Sequence, residues 1–196
     1  MRIIVVGGTG TIGKAVVAAL QGKHEVLVAS RKSSLKVEIS DPASIKAMYK
    51  SAGRVDAVVS AAGDARFKPF PQLTDEDYQY CLANKLMGQV NLVRYGMESM
   101  NDNGSFTLTS GVLARAPMPG SGAISLVNAG LEGFARAAAL EAPRGIRVNV
   151  VSPPWITETL KAFGMDPSIG ITPEACARAY VESVTSKRTA EVIDAR

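Results

Sequence analysis

Histidine and cysteine are almost missing from this chain: His24 is the one histidine among 196 residues, and Cys81 and Cys176 are the two cysteines. A histidine-based metal site cannot be assembled, and no metal is expected. Both cysteines fall in helical contexts, which reads as buried or idle thiols in a reducing compartment rather than a disulfide. Long apolar runs are lacking too, since none reaches the roughly 18–20 residues of a membrane span. The apolar start runs straight into a glycine-rich turn, unlike a signal peptide, so a cytoplasmic location and no membrane partner are expected. Basic runs are also missing. Lys and Arg number 22 against 18 Asp and Glu, a net charge of +4, but they are scattered and not interleaved with aromatics. That pattern carries no footprint for nucleic acid, and an anionic small molecule accounts for the balance as well.

What is present is an alternation. With 46% hydrophobic and 20% charged residues, the chain suits one globular domain over residues 1–196 with a sizeable core. Strands are predicted at 2–6, 25–30, about 36–39, 56–60, 105–109, 147–151 and 191–194. Helices are predicted at 12–21, 41–52, 75–100, 121–141 and 172–186. This order implies a single Rossmann-type α/β domain, a doubly wound parallel sheet with helices on both faces. Ligands in such sheets bind beyond the carboxyl ends of the strands. One connection resists the pattern: between Ser30 and Val37 no crossover helix fits, so the third strand must be short, staggered or reversed.

The residues after each predicted strand carry the chemistry. Gly7-Gly8-Thr9-Gly10-Thr11-Ile12-Gly13 follows Ile3-Ile4-Val5-Val6 and opens a helix. Gly7 suits a tight turn, Gly10 a close approach of pyrophosphate, and Gly13 close helix–strand packing. The helix N-terminus, through Thr9, Thr11 and Ile12, would present free N–H groups to an anion. Ser30-Arg31-Lys32 stands where an acidic residue would select NAD, and a basic one accommodates the 2′-phosphate of NADP. Asp41 caps the next helix ahead of Pro42, with a further contact to adenine open to it. Ala61-Ala62-Gly63 offers small residues where a cofactor could pass close to the backbone. Thr109-Ser110 puts a hydroxyl at the end of the fifth strand.

Taken together, these blocks resemble the short-chain dehydrogenase/reductase superfamily over essentially the whole chain. The resemblance rests on Gly7–Gly13, Asp41, Ala61-Ala62-Gly63, Asn84 in Asn-Lys-Leu-Met-Gly and Thr109-Ser110. Its most specific parts are Leu131-Glu132-Gly133-Phe134-Ala135-Arg136 and Arg147-Val148-Asn149-Val150-Val151-Ser152-Pro153. It implies bound NADP(H), a small carbonyl or alcohol substrate, and Ser110 and Asn84 at the reacting end. It further implies Asn128, Pro153 and Ile156 against the cofactor, and a homodimer or homotetramer built on the two long helices. The family's Tyr-x-x-x-Lys pair is not matched. Alignment on the Leu-Glu-Gly-Phe block puts Ile124 at the tyrosine and Asn128 at the lysine, and no tyrosine lies between Tyr95 and Tyr180. Isoleucine has no proton to give, and Asn128 has no charge with which to lower a neighbour's pKa. Two functions follow: an NADP(H)-dependent oxidoreductase with an atypical site, or a catalytically silent NADP(H)-binding redox sensor or regulator. As replacement groups, Arg115 reads as an anion anchor or a loop charge, and Lys85 as a solvated helix residue. Residues 157–172, with Phe163, Met165 and Pro167, read as a modest apolar lid, and Thr157 and Thr159 flank Glu158 where a cofactor-contacting threonine is usual.

Overall fold

Ile3, Ile4, Val5 and Val6 are wholly buried, as a strand covered on both faces requires. They form β1 (Arg2–Val6) in a computed structural model that describes residues 1–196. Alternate side chains feed two cores. Ile4 and Val6 pack with α2 (Pro42–Ala52), α4 (Gly88–Gly96) and α5 (Gly122–Glu141), through Ile45, Leu92 and Leu131. Ile3 and Val5 pack with α1 (Thr11–Leu20) and α7 (Pro173–Thr185), through Val16 and Tyr180.

The other strands are β2 (Glu25–Ser30), β3 (Leu35–Lys36), β4 (Val55–Ser60), β5 (Met100–Thr109), β6 (Arg147–Ser152) and β7 (Val192–Asp194). The seven stand in the order β3-β2-β1-β4-β5-β6-β7. Every pairing is parallel. The doubly wound sheet with helices on both faces is therefore present. Strand order reverses between β1 and β4, and the crevice belongs at that point.

The third strand is short and staggered. Leu35 lies opposite Ala29 and Lys36 opposite Ser30, so the connection over 31–34 steps back by only one residue and needs no helix. Ser30 Oγ accepts from the N–H groups of Lys32 at 3.1 Å and Ser33 at 3.0 Å, which folds that step into a tight loop. Residues 37–39 lie outside the ladder, against the prediction of a strand to 39.

The helix predicted over 75–100 is broken. It consists of α3 (Asp75–Cys81), a π-helical turn at Leu82–Met87, α4 and a short 3-10 turn, and β5 begins earlier than predicted, at Met100. A capping box between Thr74 and Asp77 starts α3. The wider turn that follows leaves backbone groups to be satisfied from outside. Gln89 does so: its Nε2 donates to the carbonyls of Lys85 and Thr109, and its Oε1 accepts from Thr109 N–H at 2.8 Å. The segment read as a lid contains α6 (Thr157–Ala162), tied down by a bridge between Ile156 and Ile171.

Helix α1 meets β1 with no room between them. A Cβ on Gly13 would stand 2.0 Å from the Gly7 carbonyl oxygen, which is backbone and cannot yield. Gly13→Ala should therefore cost about 3 kcal/mol, the upper end for overpacking. Urea unfolding of the variant against wild type checks this.

Candidate active site

Two hollows meet at the switch point. The first, of about 540 Å³, lies beyond the ends of β1, β2 and β4. Gly7, Thr9 and Gly10 form its floor, Ser30, Arg31 and Lys32 one wall, and Ala61, Ala62 and Gly63 the other. Gly7 has φ +79°, and a Cβ there would stand 2.8 Å from the Ala61 carbonyl oxygen. Only glycine lets the two loops close to this distance. Helix α1 opens beneath with no side-chain cap, leaving its first N–H groups for an anion. A dinucleotide fits these residues: the glycine cradle would take its pyrophosphate, and Arg31 and Lys32 stand at the end where a ribose phosphate would lie.

The second hollow, of about 200 Å³, shares Ala61-Ala62-Gly63 with the first and runs to the ends of β5 and β6. Ser110, Ile124, Asn128, Pro153, Ile156 and Lys85 line it. Asn128 is buried, and its Oδ1 has no hydrogen-bond partner. A buried amide oxygen without a partner is costly unless a ligand supplies a donor, which a ribose hydroxyl would do. Ser110 Oγ donates to Glu132 Oε1 at 3.1 Å, and both residues are buried. Its one proton is thus engaged, and it offers lone pairs to the pocket rather than a donor for a carbonyl. Glu132 is balanced by Arg115 at 3.7 Å and Arg136 at 3.8 Å.

Four expectations change. Asp41 does not line the cleft: its carboxylate caps α2 by accepting from Ala43 N–H at 2.8 Å, and Glu38 and Ile39 take the cleft position instead. Asn84 is not in the pocket with Ser110. It lies in the π turn at the cofactor cleft, where its Oδ1 accepts from Asp64 N–H at 2.8 Å. Thr11 is exposed on the outer side of α1 and lines neither hollow. Arg115 is committed to Asp194 and Glu132 and lines neither hollow.

Lys85 is the residue that sequence reasoning misplaced most. It is 8% exposed rather than solvated, and it takes part in no ion pair. Helical periodicity puts it on the outside, but the π turn rotates it inward over Gly63, whose Cβ would meet Lys85 Cγ at 3.1 Å. Loss of hydration pushes its ammonium down from the usual 10.5 to about 8, with Asp64 opposing weakly. Asp64, Tyr80, Trp155 and Leu113 also line the hollows and gave no signal in the sequence. Trp155, in the wall of the smaller hollow, meets the Phe67 ring edge-on at 6.4 Å.

Burying that ammonium destabilises the fold. Between about pH 8 and 10.5 the unfolded chain holds the Lys85 proton and the folded chain does not, so the wild-type stability attributable to this group rises with pH there. Lys85→Met should therefore stabilise the protein by about 1–3 kcal/mol at pH 7, at about 1.4 kcal/mol per pKa unit. The gain should be full below pH 8 and shrink towards pH 10.5. Denaturant midpoints of both proteins across that range check it.

The chain is similar to known proteins. The family model for enoyl-(acyl carrier protein) reductase matches residues 9–193. The protein lin1944 from Listeria innocua is 39% identical with a TM-score of 0.96, covering 100% of both chains. A small-chain dehydrogenase solved in complex with NADPH is 26% identical with a TM-score of 0.89, covering 99% of this chain and 95% of that one. Oxidoreductase UcpA of Escherichia coli K12 is 26% identical over 172 residues, which cover 84% of this chain. The chain spans 65% of that relative's length. With the cradle, the strand order and a family match over nearly its whole length, the chain belongs to the short-chain dehydrogenase/reductase superfamily.

Proposed function

We propose that the protein is an NADP(H)-dependent oxidoreductase acting on a small carbonyl compound or alcohol. The observation that carries this reading is the continuity of the two hollows. The glycine cradle that suits a pyrophosphate leads through Ala61-Ala62-Gly63 into a small, largely apolar pocket with Ser110, Asn128 and Lys85 in its wall. NADPH held there would supply a hydride to a carbonyl carbon in the pocket. The chain's own part is to bind and orient. Asn128 Oδ1 is free to accept from a ribose hydroxyl, and Val112, Leu113, Ile124 and Trp155 limit the water around a small substrate. A silent cofactor-binding protein has no use for this second pocket, which favours the enzyme over the regulator.

Selection of NADP over NAD rests on Arg31 and Lys32 at the cleft, and the neighbour solved with NADPH agrees with it. Arg31 is well exposed, and its guanidinium lies 4.0 Å from Glu38, a weak contact that a phosphate would outcompete. The protein further assembles through α4 and α5. Gly133 has open space above it, and Leu126 and Leu140 are 50% and 85% exposed along α5, a surface suited to a second copy.

Three outcomes are expected. NADPH should bind at least about tenfold tighter than NADH, since a charge-assisted contact contributes about 1.5–3 kcal/mol. Arg31→Ala should erase most of that preference, and fluorescence titration of both cofactors decides it. A screen of small aldehydes, ketones and alcohols with NADPH and NADP⁺ should reveal turnover; cofactor binding with no turnover on any of them would favour the silent regulator. Light scattering at micromolar concentration should show a dimer or tetramer, and a monomer would contradict the assembly through α4 and α5.

A further inference from the structure

We propose that Lys85 is the acid–base residue of this enzyme, its ammonium giving the proton that the carbonyl oxygen takes up on reduction. The inference rests on the oxidoreductase reading above. Of the 17 residues lining the smaller pocket, Lys85 is the one with an acid–base side chain. Tyr80 lines the cofactor cleft instead, with its hydroxyl on Asp64 at 2.8 Å. Tyr180 is fully buried and bonded to Thr109, facing neither hollow. Ser110 has its proton on Glu132.

The superfamily pattern puts a lysine on α5, where this chain has Asn128. Here a lysine lines the same pocket from the π turn, so a cationic side chain is kept and its supporting element exchanged. Gln89 bonds both the Lys85 carbonyl and the backbone of Thr109, which fixes the turn against the end of β5 beside Ser110. The charged group acting on Lys85 is Asp64, on the loop after β4, and Glu132 of α5 stands behind Ser110. No carboxylate locks the ammonium in an ion pair, and burial eases its loss of a proton.

The step balances. The carbonyl carbon gains hydrogen and two electrons from NADPH, and the C=O π pair moves onto oxygen. A Lys85 N–H bond breaks as the O–H bond forms. Carbonyl, NADPH and ammonium become alcohol, NADP⁺ and amine, and the amine regains its proton from water. Alcohol oxidation runs the same transfers backwards.

The test uses wild type, Lys85→Met and Lys85→Arg. In apoprotein labelled with ¹³C at lysine Cε, the signal lost in Lys85→Met should titrate near pH 8, well below the usual lysine value of 10.5. A midpoint at the usual value of 10.5 would overturn the proposal without any substrate in hand. With a carbonyl found by the screen, both variants should lose about 10²–10⁴ in kcat, arginine because it does not release its proton. NADPH affinity should stay within about twofold, the mark of a lost proton donor rather than a lost binding residue. The wild-type kcat for reduction should fall as pH rises through the Lys85 midpoint, while the residual rate of Lys85→Met should lack that limb. NADPH binding with undiminished turnover in Lys85→Met would overturn the Lys85 assignment alone. Failure of the wild type to bind NADPH would overturn the oxidoreductase reading and this proposal with it.

Discussion

The contact between Gly13 of α1 and the Gly7 carbonyl, with Gly7 pressed in turn against Ala61, is the constraint on which the site is built. It brings three backbone segments, the ends of β1 and β4 and the start of α1, closer than any side chain would allow. The cleft exists because these segments meet there and diverge above, and the uncapped helix end faces it. Strand order adds the second half of the condition. Since β2 and β4 leave β1 on opposite sides, the chain beyond their ends parts and leaves a crevice over the cradle. Each glycine has a structural reason before it has a functional one.

A second anchoring point lies at the end of β5. Gln89 takes up both the N–H and the carbonyl of Thr109, and the Thr109 hydroxyl bonds the Ser60 carbonyl and Tyr180. A single strand end is thus fixed from α4, β4 and α7 together. Ser110 comes next in the chain and inherits that rigidity, with Glu132 holding its hydroxyl. The π turn is held by the same glutamine, so the turn carrying Lys85 and the strand end beside Ser110 are tied to one another.

The interior of this pocket runs against stability. It holds an unpaired lysine and an amide oxygen without a partner, both of which a fold optimised for stability alone would avoid. Such groups are retained where a ligand completes them. Around them the charges are arranged conventionally: Glu132 lies between Arg115 and Arg136, and Arg115 reaches the last strand through Asp194. The contrast sets Lys85 apart from the structural ion pairs.

By itself the sequence determined the sheet, its parallel sense, the cradle and the basic residues after β2. These follow from local rules: β-branched runs, glycine spacing and caps act within a few residues of one another. It also made Ser110 and Asn128 legible, because they sit at fixed offsets from strand and helix blocks. Only the tertiary structure decided the rest. The short step to β3 depends on where Leu35 meets Ala29, a pairing between strands. Asp41 read as a cofactor residue, but its carboxylate was already used by the helix it caps, and Glu38 took the cleft. Asn84 and Lys85 are neighbours in the chain, and the π turn sends one to the cofactor cleft and the other to the pocket. Helical periodicity cannot foresee this, because the extra residue in the turn is stabilised by Gln89 reaching across to β5, a contact that exists only once the fold has closed.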